Sequence, residues 1–169
     1  MTKAYKIVVT GAFNSGKTTF VHTASDIPVV TTDRVITDAL AAVKKTTTVA
    51  LDYGQATVGK CLFHLFGTPG QERFDFMWDI LGQDTSGLLV LVDSTDGSSL
   101  TLARILLRRL GRRRVTALVV ATKQDLSPAM PPAEIAARLR LPAEAVVPCD
   151  PRRKASTRQV LQTLCATLQ

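Results

Sequence analysis

The stretch GAFNSGKTT, residues 11–19, follows the apolar run Tyr5–Thr10 and leads into Phe20 and Val21. Two glycines, a lysine and paired threonines thus stand where a buried strand ends. The spacing Gly11-x-x-x-x-Gly16-Lys17-Thr18 is that of a phosphate-binding loop. Small residues let successive backbone N–H groups converge on an anion, and the start of the next helix adds positive partial charge. Lys17 then reaches the outer phosphates, and the Thr18 hydroxyl can hold Mg2+. The plainer alternative is an ordinary glycine-rich strand-to-helix turn; the position between a strand and a helix favours the phosphate. The loop alone leaves the nucleotide undecided.

Outward from this loop, apolar strand-like and amphipathic helix-like segments alternate. Strands are expected over 5–10, 48–53, 58–66, 87–93, 115–121 and 144–148, and helices over 17–24, 71–82, 98–110, 132–139 and 152–168. GLLVLVD (87–93) and VTALVVA (115–121) have the continuous apolar character of strands buried on both faces. Pro131 and Pro132 suit a helix entry. The alternation predicts an α/β fold: a mostly parallel six-stranded sheet with helices on both faces. Ligands of such sheets sit at the carboxyl ends of the strands. Residues 25–47 break the pattern, with no clear strand, Pro28 interrupting any helix, and a short helix expected around 33–43. A connection of that length is usually functional or mobile. No second domain is evident, so residues 1–169 read as one.

Composition narrows the class. At 46% hydrophobic and 21% charged the chain is globular, and no apolar stretch spans a bilayer. MTKAYKIVVTG runs directly into the first strand, so no cleavable leader is expected. Cys61, Cys149 and Cys165 are far apart and odd in number, without metal-ligand spacing, which suits a reduced cytoplasmic setting. The net charge of +7 raises nucleic acid as a partner, with ten of 21 basic residues in 104–114 and 151–158. However, Arg104, Arg108 and Arg112 form one helical stripe and Leu102, Leu106 and Leu110 another. That is an amphipathic helix with a charged outer face. Scarce aromatics disfavour base stacking, so no direct nucleic-acid contact is expected. His22 and His64 lack carboxylate or cysteine partners at ligand spacing and read as structural.

Three further loops fall at the same edge. In Thr122-Lys123-Gln124-Asp125 the Asp125 carboxylate can accept from N1–H and the 2-amino group of guanine, which adenine cannot offer. The stem of Lys123 can pack along the base with its head toward the glycine loop. In FGTPGQERF (66–74), the Gly70 N–H can meet a terminal phosphate, and Gln71 is placed to orient a water for in-line attack. In KTTTVALDY (45–53) a threonine can complete the Mg2+ shell when a γ-phosphate is present, and its release on hydrolysis would free the loop.

Together these motifs resemble a small Ras-like GTPase over essentially the whole chain. GAFNSGKT is similar to the family's phosphate loop, GTPGQERF to its second switch and TKQD to its guanine motif. TVALDY resembles the start of the second strand in Rab-type members, which makes Thr48 the best match for the first-switch threonine, with Thr46 and Thr47 as fallbacks. The resemblance implies a single phosphate-loop G domain that binds GTP and GDP with Mg2+. It assigns nucleotide contacts to Asn14, Ser15, Gly16, Lys17, Thr18, Thr19, Thr48, Gly70, Thr122, Lys123 and Asp125. Catalysis falls to Gln71 and Lys17, and metal ligation to Thr18 and Thr48. VPCDPR (147–152) stands at the family's weak last motif, implying backbone N–H groups of Cys149 and Asp150 on the base.

The Thr-Pro-Gly-Gln form is similar to prokaryotic branches, including the gliding-motility polarity GTPases and those of actinobacterial conservon clusters. In those branches the resemblance implies a Roadblock/LC7-type regulator, a downstream effector, and membrane contact through a partner. Gly67 departs from the family's aspartate, which leaves Mg2+ to Thr18, Thr48, phosphate and water. Asp52 and Asp93 lie on neighbouring strand candidates. The expected function is a slow GTP hydrolase and switch; the alternative is a guanine-nucleotide-binding module with little or no hydrolysis. Trp78, with Phe74, Phe76 and Met77, reads equally as partner patch or core, and Arg34 is a possible charge in cis.

Overall fold

The computed structural model describes residues 1–37, 46–68, 84–111 and 114–169, with the side chains of 32–37 and 46–50 outside the description. Seven strands form one sheet: β1 (Lys3–Gly11), β2 (Val30–Thr37), β3 (Thr46–Val58), β4 (Cys61–Gly67), β5 (Gly87–Asp93), β6 (Thr116–Thr122) and β7 (Val146–Pro148). Their order is β2-β3-β4-β1-β5-β6-β7. The β4, β1, β5, β6 and β7 strands run parallel, and β3 is antiparallel to both β2 and β4. The described helices are α1 (Lys17–Ala24), α2 (Gly97–Leu110), α3 (Pro132–Leu139) and α4 (Lys154–Leu168).

The period-two alternation of buried strands divides the core between the two faces. Ile7 and Val9, Leu89 and Leu91, and Leu118 and Val120 face α1 and α4, where they meet Phe20, Val21, Val160, Leu161 and Leu164. Val8, Leu88, Val90, Val92 and Val119 face the other way, toward Leu100, Leu106, Ile135 and Leu139 of α2 and α3. Each large apolar side chain fully buried in this way contributes about 1.5–3 kcal/mol relative to exposure.

The sheet has seven strands, not six. The added strand is β2, inside the segment expected to lack one, and residues 33–37 of the expected short helix belong to it. Six of the eight residues in VTTDRVIT are β-branched, a strand preference that the missing apolar alternation concealed. The expected strand 58–66 is the end of β3, a turn at Gly59 and Lys60, and β4. The expected strand 48–53 lies within the longer Thr46–Val58. The expected helix 71–82 and the patch around Trp78 lie outside the described residues.

The cysteines, whose separation along the chain suited a reduced setting, are in part paired. Cys61, at the start of β4, and Cys165, in α4, are disulfide-bonded with Cα atoms 6.0 Å apart; only Cys149 is free. Sequence separation hid a pair that β4 and the last helix bring together. His64 Nδ1 lies 2.7 Å from the Tyr53 hydroxyl.

Candidate functional site

β1, β5 and β6 all end at one edge of the sheet, and their following loops build the site. At Gly11 a Cβ would overlap the Leu91 carbonyl oxygen of β5, so the loop can leave the sheet here only as glycine. Gly16 caps α1 with φ 101° and no side chain fills the cap. The first-turn N–H groups therefore face outward with the positive end of the helix behind them, a site suited to an anion. Asn14 turns the loop at φ 64°. Thr18 and Thr19 are exposed at the start of the helix, and Ser15 is buried with its hydroxyl donating to Ala12 O at 2.7 Å.

Lys17 is 7% exposed. Its ammonium donates to the carbonyls of Gly11 and Ala12, both at 2.8 Å. Burial pushes its pKa down to about 8. The side chain thus lies folded over the loop whose anion it would meet. The residues fit a magnesium–phosphate group: a hydroxyl at Thr18, an ammonium, and an uncapped helix start share one loop. Thr48 lies in β3, opposite Val35 of β2, and its side chain is outside the description, as are Gly70 and Gln71.

The guanine motif touches the phosphate loop directly. The buried Thr122 hydroxyl lies 2.8 Å from Ser15 O and 3.0 Å from Val92 O, tying the end of β6 to the loop after β1. Lys123 has φ 59°. Its ammonium does not extend to the glycine loop as expected but pairs with Asp93 Oδ2 at 2.7 Å. Burial alone would raise the Asp93 carboxyl, yet hydrogen bonds from Lys123 and Thr95 outweigh it and hold the pKa below the ordinary value. Gln124 donates to Ser94 Oγ at 2.7 Å and Met130 O at 2.8 Å, fixing the loop that carries Asp125.

Asp125 is exposed, at the mouth of an open hollow that Gln124, Cys149 and Asp150 also line. One partner was not foreseen: Arg152 reaches Asp125 Oδ2 at 3.2 Å while its Nε holds Asp150 Oδ1 at 2.9 Å. The Arg152 guanidinium holds the Asp150 carboxyl below its usual range. The signal was in VPCDPR, where a basic residue stands two positions after Asp150. The expected base donors need correction. Cys149 N–H donates to Ala121 O at 3.0 Å and Asp150 N–H to Ser156 Oγ at 2.9 Å, because the chain closes β7 and enters α4 here. Burial pushes the Cys149 thiol up to about 11.

Of the basic stripe, Arg104 and Arg108 line a groove with Arg138 and Arg140, while Leu106 and Leu110 are buried; Arg112 lies outside the described residues. Among the described residues no helix is long and apolar enough to cross a membrane.

A parallel-centred sheet, a glycine loop into a helix, and a TKQD loop joined to it define the G domain of a small GTPase. Residues 1–168 match the model of the ADP-ribosylation factor (Arf) family, to which the chain belongs. It is 30% identical over 143 residues to ADP-ribosylation factor-like protein 5 of Caenorhabditis elegans, covering 82% of this chain and 73% of that one. An uncharacterized protein of Methanocaldococcus jannaschii is 36% identical over 93 residues, 54% of this chain and 53% of its own length. ADP-ribosylation factor-related protein 1 of Homo sapiens is 30% identical over 126 residues, 72% of this chain and 60% of its own. The chain thus spans about half of the archaeal relative and three fifths of the human one. In fold it is similar to the Arl6 BBS3 small GTPase of Trypanosoma brucei with bound nucleotide analogue GppNp. The TM-score is 0.73 at 19% identity, with 98% of each chain covered.

Proposed function

We propose that this Arf-family domain is a GTP-binding switch: it holds GTP or GDP with Mg2+, hydrolyses GTP slowly, and exchanges partners with nucleotide state. The observation that carries this is the hydrogen bond from Thr122 to Ser15 O. It joins a guanine-reading loop to a phosphate-holding loop at the spacing of one nucleotide-binding edge. Asp125 reads the guanine edge, α1's open N-terminus and Lys17 hold the phosphates, and Thr18 and Thr48 contact the metal. Gln71 orients the attacking water; hydrolysis moves the γ-phosphate to that water and leaves GDP. Bound Mg2+ supplies charge neutralisation at the β- and γ-phosphates.

A Roadblock/LC7-type regulator, an effector and kinship with the prokaryotic branches rest on the Thr-Pro-Gly-Gln form of 68–71. A cytoplasmic setting, with membrane contact through a partner, belongs to the same reading, although the Cys61–Cys165 bond weighs against a strongly reducing one. Gly67 favours the second reading, a nucleotide-binding module with little hydrolysis. The test is displacement of fluorescent GDP by GTP and by ATP, followed by single-turnover GTP hydrolysis. GTP displacement without ATP displacement, with turnover lost in Gln71→Leu, is expected. Equal displacement by ATP removes the guanine assignment, and absent turnover selects the second reading.

A further inference from the structure

In the site proposed above, a carboxylate that would hold water on the metal is missing from β4, where Gly67 ends the strand. We propose that Asp52 of β3 supplies it from the neighbouring strand. This rests on the nucleotide reading and adds a residue to it. Four observations converge. First, Asp52 is the direct cross-strand partner of Gly67 in the antiparallel β3–β4 ladder. Second, both positions face the same side. A Cβ on Gly67 would lie 3.4 Å from Asp52 Cβ and 3.4 Å from Val21 Cγ2, while Leu51, one residue away, points into the opposite core layer. Direct cross-strand neighbours point their side chains to one face of the sheet, so a carboxylate on either strand serves one volume.

Third, that side is the phosphate side. Val21 stands three residues after Thr18 on α1, and residues so spaced share a helix face. The space beside Gly67 that Asp52 and Val21 both border is thus one turn below the exposed hydroxyl expected to meet the metal. Fourth, among the described residues the hydrogen bond to the Asp52 side chain comes from the neutral Thr31 hydroxyl, at 3.2 Å from Oδ1, and no described group is bonded to Oδ2. The other candidate, Asp93, is committed: Oδ2 to Lys123 at 2.7 Å, Oδ1 to Thr95 N–H and hydroxyl at 2.9 and 2.6 Å. It also sits on β5, two strands from β4.

Asp52 is therefore a positioning residue: it accepts hydrogen bonds from metal-bound water rather than ligating Mg2+. Mg2+ commonly keeps several waters, so this outer contact is where a protein carboxylate acts. Removing an outer-shell partner costs about 10–100-fold in metal affinity.

The test is stopped-flow release of fluorescent GDP across a Mg2+ titration, for the wild type, Asp52→Asn, and the double variant Asp52→Ala with Gly67→Asp. Thermal midpoints accompany each. In the wild type Mg2+ slows GDP release. In Asp52→Asn the Mg2+ concentration giving half of that protection rises at least about tenfold, while GDP release in excess chelator is unchanged. The double variant returns the carboxylate to β4 and restores the wild-type midpoint. An Asp52→Asn midpoint equal to wild type overturns the proposal, as does a double variant as defective as Asp52→Asn with its thermal midpoint intact. A wild type that binds fluorescent GDP, with no Mg2+ effect on release, overturns the Asp52 role alone; one that binds no GDP overturns the nucleotide reading as well.

Discussion

The buried lysine of the phosphate loop makes nucleotide affinity depend on pH in a window set by its surroundings. Lys17 is enclosed with two carbonyls as hydrogen-bond partners at 2.8 Å, and burial lowers its pKa from 10.5 to about 8. The lowering corresponds to about 3 kcal/mol against the protonated form. Sign follows from the direction. The unfolded chain keeps the proton to higher pH, so the penalty on the nucleotide-free fold is fully present below pH 8. It is relieved as pH rises from about 8 toward 10.5. Phosphate acts oppositely, because it attracts the ammonium and raises its pKa on binding. Between pH 7 and 9 the free protein loses most of its Lys17 charge while the complex retains it, so affinity for GDP falls about tenfold. At pH 8 binding takes up about half a proton. Displacement of fluorescent GDP at pH 7, 8 and 9, at constant ionic strength, measures the first. Calorimetry in two buffers of different ionisation enthalpy measures the second. Flat affinity with no proton uptake would refute the assignment, as would an unchanged slope in Lys17→Ala.

Asp125→Asn replaces an acceptor by a donor facing guanine N1–H, so affinity for GTP should collapse while xanthosine triphosphate gains; unchanged GTP binding in displacement assays removes the guanine argument. Thr122→Val leaves Ser15 O and Val92 O without their buried donor, at a cost of about 1–3 kcal/mol. Urea unfolding should show it, and nucleotide affinity should fall too because the two loops lose their tie. Gly54→Ala places a Cβ 2.8 Å from Ser25 Oγ and 2.9 Å from Ser25 Cβ, so a lowered thermal midpoint is expected; an unchanged one would mean that β3 and the end of α1 shift apart freely.

The parallel centre of the sheet was legible because its strands are buried on both faces and their composition says so: GLLVLVD and VTALVVA admit little else. The glycine loop at 11–18 and the TKQD loop were legible as strand-end loops because each motif is local, confined to a few consecutive residues. What escaped was non-local. β2 is held by β3 across an antiparallel ladder rather than by its own apolar pattern. The Cys61–Cys165 pair is made by the packing of α4 against the start of β4. The Lys123–Asp93 ion pair depends on β5 and β6 lying in register, with Asp93 opposite Thr122. The family resemblance also implied free N–H groups at Cys149 and Asp150. Whether a backbone donor is free depends on what closes over it, here the Ala121 carbonyl and the Ser156 hydroxyl.

The disulfide gives the domain a covalent topology that its sheet order does not reveal. Joining Cys61 to Cys165, 104 positions apart, closes residues 61–165 into a ring and leaves residues 1–60 as a tail. The ring carries β4, β5, β6 and β7 with the guanine loop; the tail carries β1, the phosphate loop, α1 and the β2–β3 hairpin. The two halves of the nucleotide site therefore belong to different topological parts, and β1 enters the sheet between two ring strands, β4 and β5. In a chain-entropy model, a closure of this length restricts the unfolded chain by about 4.7 kcal/mol. That term acts on the ring alone. In the function proposed above, a nucleotide spanning the Thr122–Ser15 seam would fasten tail to ring, so thiol reduction and nucleotide release would loosen the domain at separate joints.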